Sequence, residues 1–158
     1  MNKDISEFML EAIRLSISNV EEGKGGPFGA VVVKDGKIIA RGVNQVTTTN
    51  DPTAHAEITA IRNACAVLQT FQLDGCEIYT SCEPCPMCLG AIYWARPKVV
   101  YFANNRQDAA DIGFDDSMIY DEMAADLNSR KIPIIPIGRE AALKVFEEWR
   151  EKGDKTLY

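Results

Sequence analysis

Four residues have the types and the spacing to bind a metal ion and use it. His55 and Glu57 are two positions apart, and Cys85 and Cys88 follow about 30 residues later as a Cys-x-x-Cys pair. Imidazole nitrogen and thiolate sulfur are preferred zinc ligands, and a catalytic zinc keeps three protein ligands and a fourth position for water. His55 is the one histidine of the sequence. We therefore predict a zinc site formed by His55, Cys85 and Cys88.

Glu57 is predicted to move protons beside this metal without binding it. Zinc lowers the pKa of a coordinated water to roughly 7 in well-studied sites, and a carboxylate two residues beyond His55 can reach that water. It can accept the proton and pass it to an atom of the substrate or of a leaving group. Cys85 and Cys88 face the same way in a first helical turn, where the helix N-terminus favours thiolates. The predicted chemistry is metal-assisted hydrolysis.

Each of these residues could also have a purely structural role when it is taken alone. His55 could cap a helix or fill a core, Glu57 could be a solvated acid, and the Cys-x-x-Cys pair could be a redox pair or half of a structural zinc site. A structural zinc takes four protein ligands, and Cys82 could be the fourth. The combination favours catalysis, while a zinc-stabilised binding module and a thiol-disulfide oxidoreductase remain as alternatives.

Composition restricts the partners and the compartment. The 158 residues carry a net charge of −6, with 46% hydrophobic and 25% charged residues, as in ordinary globular proteins. The five cysteines, an odd number without a secretion signal, argue against a disulfide scaffold and indicate a cytoplasmic protein. No apolar stretch approaches the length of a membrane span, and no basic run exceeds two residues. We expect a small uncharged substrate, with neither nucleic acid nor membrane as a partner.

The hydrophobic pattern predicts alternating strands and helices around the candidate site. The predicted helices span residues 5–20, 54–68, 87–95, 118–127 and 140–152, and the predicted strands span 28–33, 37–43, 77–80, 98–102 and 132–137. Asp35-Gly36 suits a tight hairpin turn, and the prolines at 133 and 136 indicate an edge strand. Residues 46–50 and 104–116 are expected to be loops. These elements predict one α/β domain over residues 1–158, a three-layer α/β/α sandwich with a five-stranded mixed sheet.

The two motifs also carry a family resemblance. His-x-Glu followed by Pro-Cys-x-x-Cys is the signature of zinc nucleobase deaminases. On these residues the chain resembles the cytidine deaminase-like superfamily, and within it the bacterial guanine deaminases over nearly its whole length. The segments that carry the resemblance are residues 25–30, 50–57, 79–97 and 113–117, together with the terminal Tyr158.

The resemblance implies a function and a set of substrate contacts. It implies zinc-dependent conversion of guanine to xanthine and ammonia, by a homodimer that exchanges its C-terminal segments, residues 139–158. It also implies that Asn44, Asp116 and Tyr158 hold the base and that Phe28 packs on the purine face. An amide can donate to O6 and N7 of guanine, and a carboxylate can accept from N1–H and the 2-amino group.

The same four residues could instead have ordinary structural roles, and the scaffold suits more than one base. Asn44 could be a turn residue, Asp116 a solvated or capping acid, Phe28 a core residue and Tyr158 a frayed chain end. Cytosine, guanosine and tRNA adenosine are alternative substrates for the same scaffold.

Overall fold

The structure is a computed structural model that describes residues 5–158. The described chain forms two compact units, one that ends at Asp116 and one that begins at Ser117. The first unit contains, in order, α1 (Glu7–Glu21), β1 (Gly29–Lys34), β2 (Lys37–Val43), α2 (Val46–Thr49), α3 (Ala56–Leu68), β3 (Glu77–Cys82), α4 (Pro86–Ala95), β4 (Val99–Asn104) and α5 (Arg106–Asp111). The second contains α6 (Ser117–Ala124), a 3-10 turn (Leu127–Ser129) and α7 (Arg139–Glu151).

The sheet of the first unit is mixed and has the strand order β2-β1-β3-β4. β1 pairs antiparallel with both β2 and β3, while β3 and β4 are parallel and are connected through α4. Asp35 and Gly36 close the β1–β2 hairpin with φ of 50° and 70°, which confirms the predicted turn. The parallel pair places the ends of β3 and β4 at the same edge of the sheet.

The side chains of β1 alternate between two cores, which fixes three layers. Ala30 and Val32 belong to a cluster with residues of α3 and α4, whereas Val31 and Val33 pack with residues of α1. These four residues are buried because β1 is covered on both faces. The predicted α/β/α layering is therefore present in this unit, with α1 on one face and α3 and α4 on the other.

A close approach of backbones joins β2 to α3. A Cβ atom at Gly42 would lie 2.2 Å from the carbonyl oxygen of Ala56 and 2.4 Å from the nitrogen of Ala60. Both atoms are backbone atoms of a helix and cannot rotate away, so glycine alone fits. The contact lies within the first turns of α3, directly after His55, and it fixes where that helix begins relative to the sheet.

The prediction of a fifth strand is wrong. Residues 132–137 form no strand, and the described residues contain four strands. Pro133 and Pro136 have no N–H to donate to a ladder, and Ile132, Ile135 and Ile137 are 77%, 76% and 93% exposed. The isoleucines supply high strand propensity, but nothing buries them within the single chain. Propensity alone does not form a strand.

Two segments predicted as loops contain short helices. Residues 46–49 form a single turn in which the hydroxyls of Thr48 and Thr49 donate to the carbonyl of Gln45. Arg106–Asp111 is helical because Asn105 caps it in a capping box with Asp108. The remaining helices match their predicted ranges to within a few residues. Within residues 5–158, no helix combines the length and the apolarity that crossing a membrane requires.

The close contact at Gly42 leads to a prediction about stability. The variant Gly42→Ala should unfold with a free energy lower by about 1–3 kcal/mol, because α3 must shift to admit the methyl group. The measurement is chemical denaturation followed by circular dichroism.

Gly90→Ala is the matched control for this prediction. Gly90 lies inside α4 with open space around its Cβ position. Alanine there should raise stability by about 0.5–1 kcal/mol. Equal effects of the two substitutions would contradict the packing argument.

Candidate metal centre and active site

The candidate site forms where the N-termini of two helices meet. His55 is the N-cap residue of α3, and Cys85 is the N-cap residue of α4. Cys88 lies in the first turn of α4, which begins with Pro86 after β3 has ended at Cys82. Proline suits a first helical turn because its missing N–H would have no partner there. The positive ends of both helix dipoles therefore point toward the place where sulfur anions would lie.

The structure brings the three predicted ligands together at distances that fit a zinc ion. The Nδ1 atom of His55 lies 3.5 Å from the Sγ atom of Cys85 and 3.5 Å from that of Cys88. All three candidate donor atoms lie within 4.8 Å of one another. Around a tetrahedral zinc with bonds of about 2.0–2.3 Å, neighbouring nitrogen and sulfur donors are about 3.5 Å apart. The donor set and its spacing therefore fit zinc.

Cys82 does not complete a four-ligand protein site. Its sulfur lies 3.8 Å from the carbonyl oxygen of Asn105, and burial raises the pKa of its thiol to about 11. Among residues 5–158, no further cysteine or acidic side chain joins the group of His55, Cys85 and Cys88. This arrangement is typical of a catalytic zinc site, where one position is left for water and substrate.

The pKa values of the Cys85 and Cys88 thiols are shifted in opposite directions. The hydrogen bond from Cys88, aided by His55, lowers the pKa of Cys85 to about 4. The same hydrogen bond raises the pKa of Cys88, and burial acts in that direction too. The thiolate at Cys85 in turn raises the pKa of His55. The lowered pKa favours the thiolate at Cys85, which would attract a cation, and a bound metal would displace the remaining proton.

Glu57 lies beside the three ligands, on α3, with its carboxylate buried. One carboxylate oxygen, Oε1, accepts a hydrogen bond of 3.0 Å from the Thr80 hydroxyl. The other, Oε2, lies 3.4 Å from the sulfur of Cys88. Burial is the main reason that the pKa of Glu57 is raised. A carboxyl group with a raised pKa next to a metal site can both accept and donate a proton near neutral pH.

Two of the predicted substrate residues lie at the open end of the β1–β2 hairpin, Phe28 just before β1 and Asn44 just after β2. The backbone N–H of Asn44 donates to the carbonyl of Phe28 at 3.2 Å, and the Asn44 side-chain oxygen accepts from Val46 at 3.3 Å. The next residue, Gln45, donates to the carbonyl of Ala54 at 2.9 Å. These bonds attach this end of the hairpin to the segment that leads into His55. Phe28 and Asn44 are thus connected to the segment that precedes His55, one of the predicted ligands.

A third predicted residue, Asp116, ends the first unit. Its side chain is half-buried, and its pKa is raised by burial and by the negative charge of Cys85. Two residues earlier, the ring of Phe114 meets that of Phe28 edge-to-face at 4.9 Å. Tyr158 is the last residue of the second unit and is 71% exposed. Its predicted role as a substrate contact stays a prediction.

The sequence did not point to two buried polar residues around the site. Thr80 is 1% exposed on β3 and bonds Glu57. Asn19, near the end of α1, donates its amide to the carbonyls of Gly26 at 2.8 Å and Asn44 at 2.9 Å. In the sequence, each is a polar residue at a position of a helix or strand where an apolar residue would be expected. This pattern does not identify the hydrogen-bond partner of the side chain.

Comparison with known proteins agrees with this geometry. Residues 2–104 match the family described as the cytidine and deoxycytidylate deaminase zinc-binding region. The chain is 57% identical over 151 residues to a guanine deaminase of Bacillus subtilis, and the alignment covers 96% of this chain and 97% of that protein. The X-ray structure of guanine deaminase from Bacillus subtilis is similar with a TM-score of 0.94 at 56% identity, covering 100% of this chain and 99% of that chain.

Two other proteins are similar at lower identity or over a shorter part of the chain. A structure of guanine deaminase from Nitrosomonas europaea is 33% identical with a TM-score of 0.66, covering 87% of this chain and 70% of that one. A tRNA-specific adenosine deaminase of Aquifex aeolicus is 44% identical over 96 residues, which are 61% of this chain and 63% of that protein. The His/Cys/Cys group lies where the N-termini of α3 and α4 meet, and the chain belongs to the family of the cytidine and deoxycytidylate deaminase zinc-binding region.

Proposed function

We propose that this protein is a zinc-dependent aminohydrolase that converts guanine and water to xanthine and ammonia in the cytoplasm. The observation that carries the proposal is the buried carboxylate of Glu57 beside a three-donor group that leaves a fourth metal position open. Similarity over almost the whole chain to a guanine deaminase supports the choice of base. Similarity to the tRNA deaminase covers only part of either protein.

His55, Cys85 and Cys88 would hold the metal. When bound, zinc acts as a Lewis acid and lowers the pKa of a water molecule in its fourth position to about 7. The two helix N-termini stabilise the sulfur anions. His55 and Cys85 are only half-buried, which leaves access for a base. His55, Cys85 and Cys88 position the metal and provide negative charge, whereas Glu57 carries out the proton transfers.

Glu57 moves two protons in the proposed reaction. Its carboxylate takes one from the attacking water and delivers it to N3 of guanine as the oxygen bonds to C2. It then takes the remaining proton of the new hydroxyl and gives it to the 2-amino group, so that the C2–N bond breaks and ammonia leaves. Xanthine retains the oxygen. The raised pKa of Glu57 suits a group that gains and loses a proton in each cycle.

Asn44 and Asp116 are proposed to recognise two different pairs of hydrogen-bonding groups on the base. The Asn44 side-chain oxygen already accepts from Val46, so the amide nitrogen is the donor left for O6 or N7. The Asp116 carboxylate would accept from N1–H and the 2-amino group. A base without these groups would leave a buried donor or acceptor unpaired, which is how such sites discriminate.

Phe28 is proposed to pack against the flat face of the purine. Its ring is half-buried and is held edge-to-face by Phe114. A Cβ atom at Gly26 would come within 3.3 Å of both rings, so the glycine leaves room for the pair. A rigid aromatic ring beside a base gives stacking without a large loss of side-chain freedom.

We also propose a homodimer that exchanges residues 139–158 and thereby brings Tyr158 of each subunit to the site of the other. In support, α7 carries exposed apolar side chains, with Val145 at 61% and Phe146 at 69%. The edge strand β4 likewise exposes Tyr101 and Phe102, at 44% and 49%. Apolar surface of this kind on two elements is typical of a surface that is covered in an assembly.

The choice of base leads to a prediction with a direct assay. Zinc-loaded protein incubated separately with guanine, cytosine, adenine and guanosine should release ammonia from guanine at least about a hundredfold faster than from the others. Ammonia is measured by a coupled enzymatic assay. Faster release from cytosine, adenine or guanosine would replace guanine as the substrate and leave the mechanism in place.

The role of Glu57 predicts a separation of catalysis from metal binding. Glu57→Gln should lower kcat for guanine by about 10²–10⁴-fold, because the amide cannot carry the protons. Bound zinc, measured by elemental analysis, should remain at the wild-type ratio. Glu21→Gln, an exposed change at the end of α1, is the control. Ammonia release that survives Glu57→Gln would favour a non-catalytic role for the carboxylate.

The exchanged dimer predicts that two inactive variants restore each other. Tyr158→Ala and Glu57→Gln should each be impaired alone. If Tyr158 acts on the partner's site, co-expressed heterodimers contain one site with both wild-type residues. Random pairing would then return about a quarter of wild-type activity, whereas sites built from a single chain would return none.

A further inference from the structure

The two oxygens of the Glu57 carboxylate have different surroundings. Oε1 accepts the hydrogen bond of 3.0 Å from the Thr80 hydroxyl, on the side of the sheet. Oε2 lies 3.4 Å from the sulfur of Cys88, on the side of the proposed metal. One oxygen is therefore directed toward the protein interior and the other toward the reacting groups.

The position of Thr80 is restricted, so that the two carboxylate oxygens of Glu57 keep their different surroundings. It is 1% exposed, and its strand pairs on both sides, with Ala30 on β1 and Phe102 on β4. A β-branched side chain in a strand has few χ1 positions available. A fixed backbone and a restricted side chain thus direct the hydroxyl at one carboxylate oxygen.

We propose that Thr80 is a positioning residue that assigns the two oxygens of Glu57 different roles, with Oε1 as a constant acceptor and Oε2 as the proton carrier. The inference rests on the proposed deaminase function and extends it. A carboxyl proton can lie on either oxygen. The hydrogen bond from Thr80 lowers the proton affinity of Oε1, so the proton taken from water is favoured on Oε2, the oxygen that faces the base. Each protonated Glu57 is then oriented to donate.

Four residue types at position 80 separate the hydroxyl from the volume of the side chain. Thr80→Val keeps the shape and removes the hydroxyl, Thr80→Ser keeps the hydroxyl and removes the methyl group, and Thr80→Ala removes both. If the hydroxyl matters, valine and alanine should lower kcat by similar factors of about 10–100, the size of one hydrogen bond to a charged group. Serine should restore kcat to within about threefold of wild type.

The KM for guanine and the zinc content complete the kinetic test. Both should stay within about twofold of wild type in all the variants, because Thr80 acts through Glu57 and touches neither the base nor the metal. A series in which valine resembles wild type while serine and alanine are both impaired would indicate packing instead. That result would overturn the inference.

A second measurement does not depend on turnover. In metal-free protein with ¹³C-labelled glutamate carboxyls, the Glu57 resonance is identified by its loss in Glu57→Gln. It should move in Thr80→Val and Thr80→Ala and stay in place in Thr80→Ser. If the wild-type enzyme fails to deaminate guanine, the proposed function falls, but this resonance still tests Thr80. A resonance that is unchanged in Thr80→Val overturns the inference on its own.

Discussion

The site depends on one packing constraint, the contact of α3 with the β1–β2 hairpin. The histidine ring and the two sulfurs must come within a few ångströms of one another, but they lie on separate helices about 30 residues apart in the chain. Glycine at position 42 lets the first turns of α3 lie directly on β2. The position of the other helix follows from β3, whose last residue leads into the turn before Cys85. Without these two fixed helix starts, no metal geometry would exist.

Burial of Glu57 is the second consequence of this packing. A carboxylate that is 6% exposed is unfavourable unless it has hydrogen-bond partners, and Thr80 is one such partner within the sheet. The site therefore holds an ionisable group in surroundings that raise its pKa. Active sites frequently hold groups of this kind, because chemistry requires a proton affinity that water-exposed acids do not have.

Sequence reasoning predicted the group that the structure brings together because the spacing of metal ligands is part of the chemistry. His55, Cys85 and Cys88 form a pattern that is recognisable without coordinates, and helix starts at both motifs follow from capping and proline rules. The fifth strand was wrong because Ile132 and its neighbours have strand propensity without a buried face. Thr80 and Asn19 were missed because a buried hydrogen bond depends on a partner that is distant in sequence.

The side-chain amide of Asn19 connects α1 to the chain at the ends of β1 and β2. It belongs to α1, the layer on the side of the sheet away from α3 and α4, yet it bonds the carbonyl of Asn44 at the proposed base-binding edge. The orientation of that edge is thus partly determined by a helix that carries no metal ligand. If Asn44 holds the base as proposed, a substitution at Asn19 in the last turn of α1 would shift that contact while Asn44 itself stays unaltered.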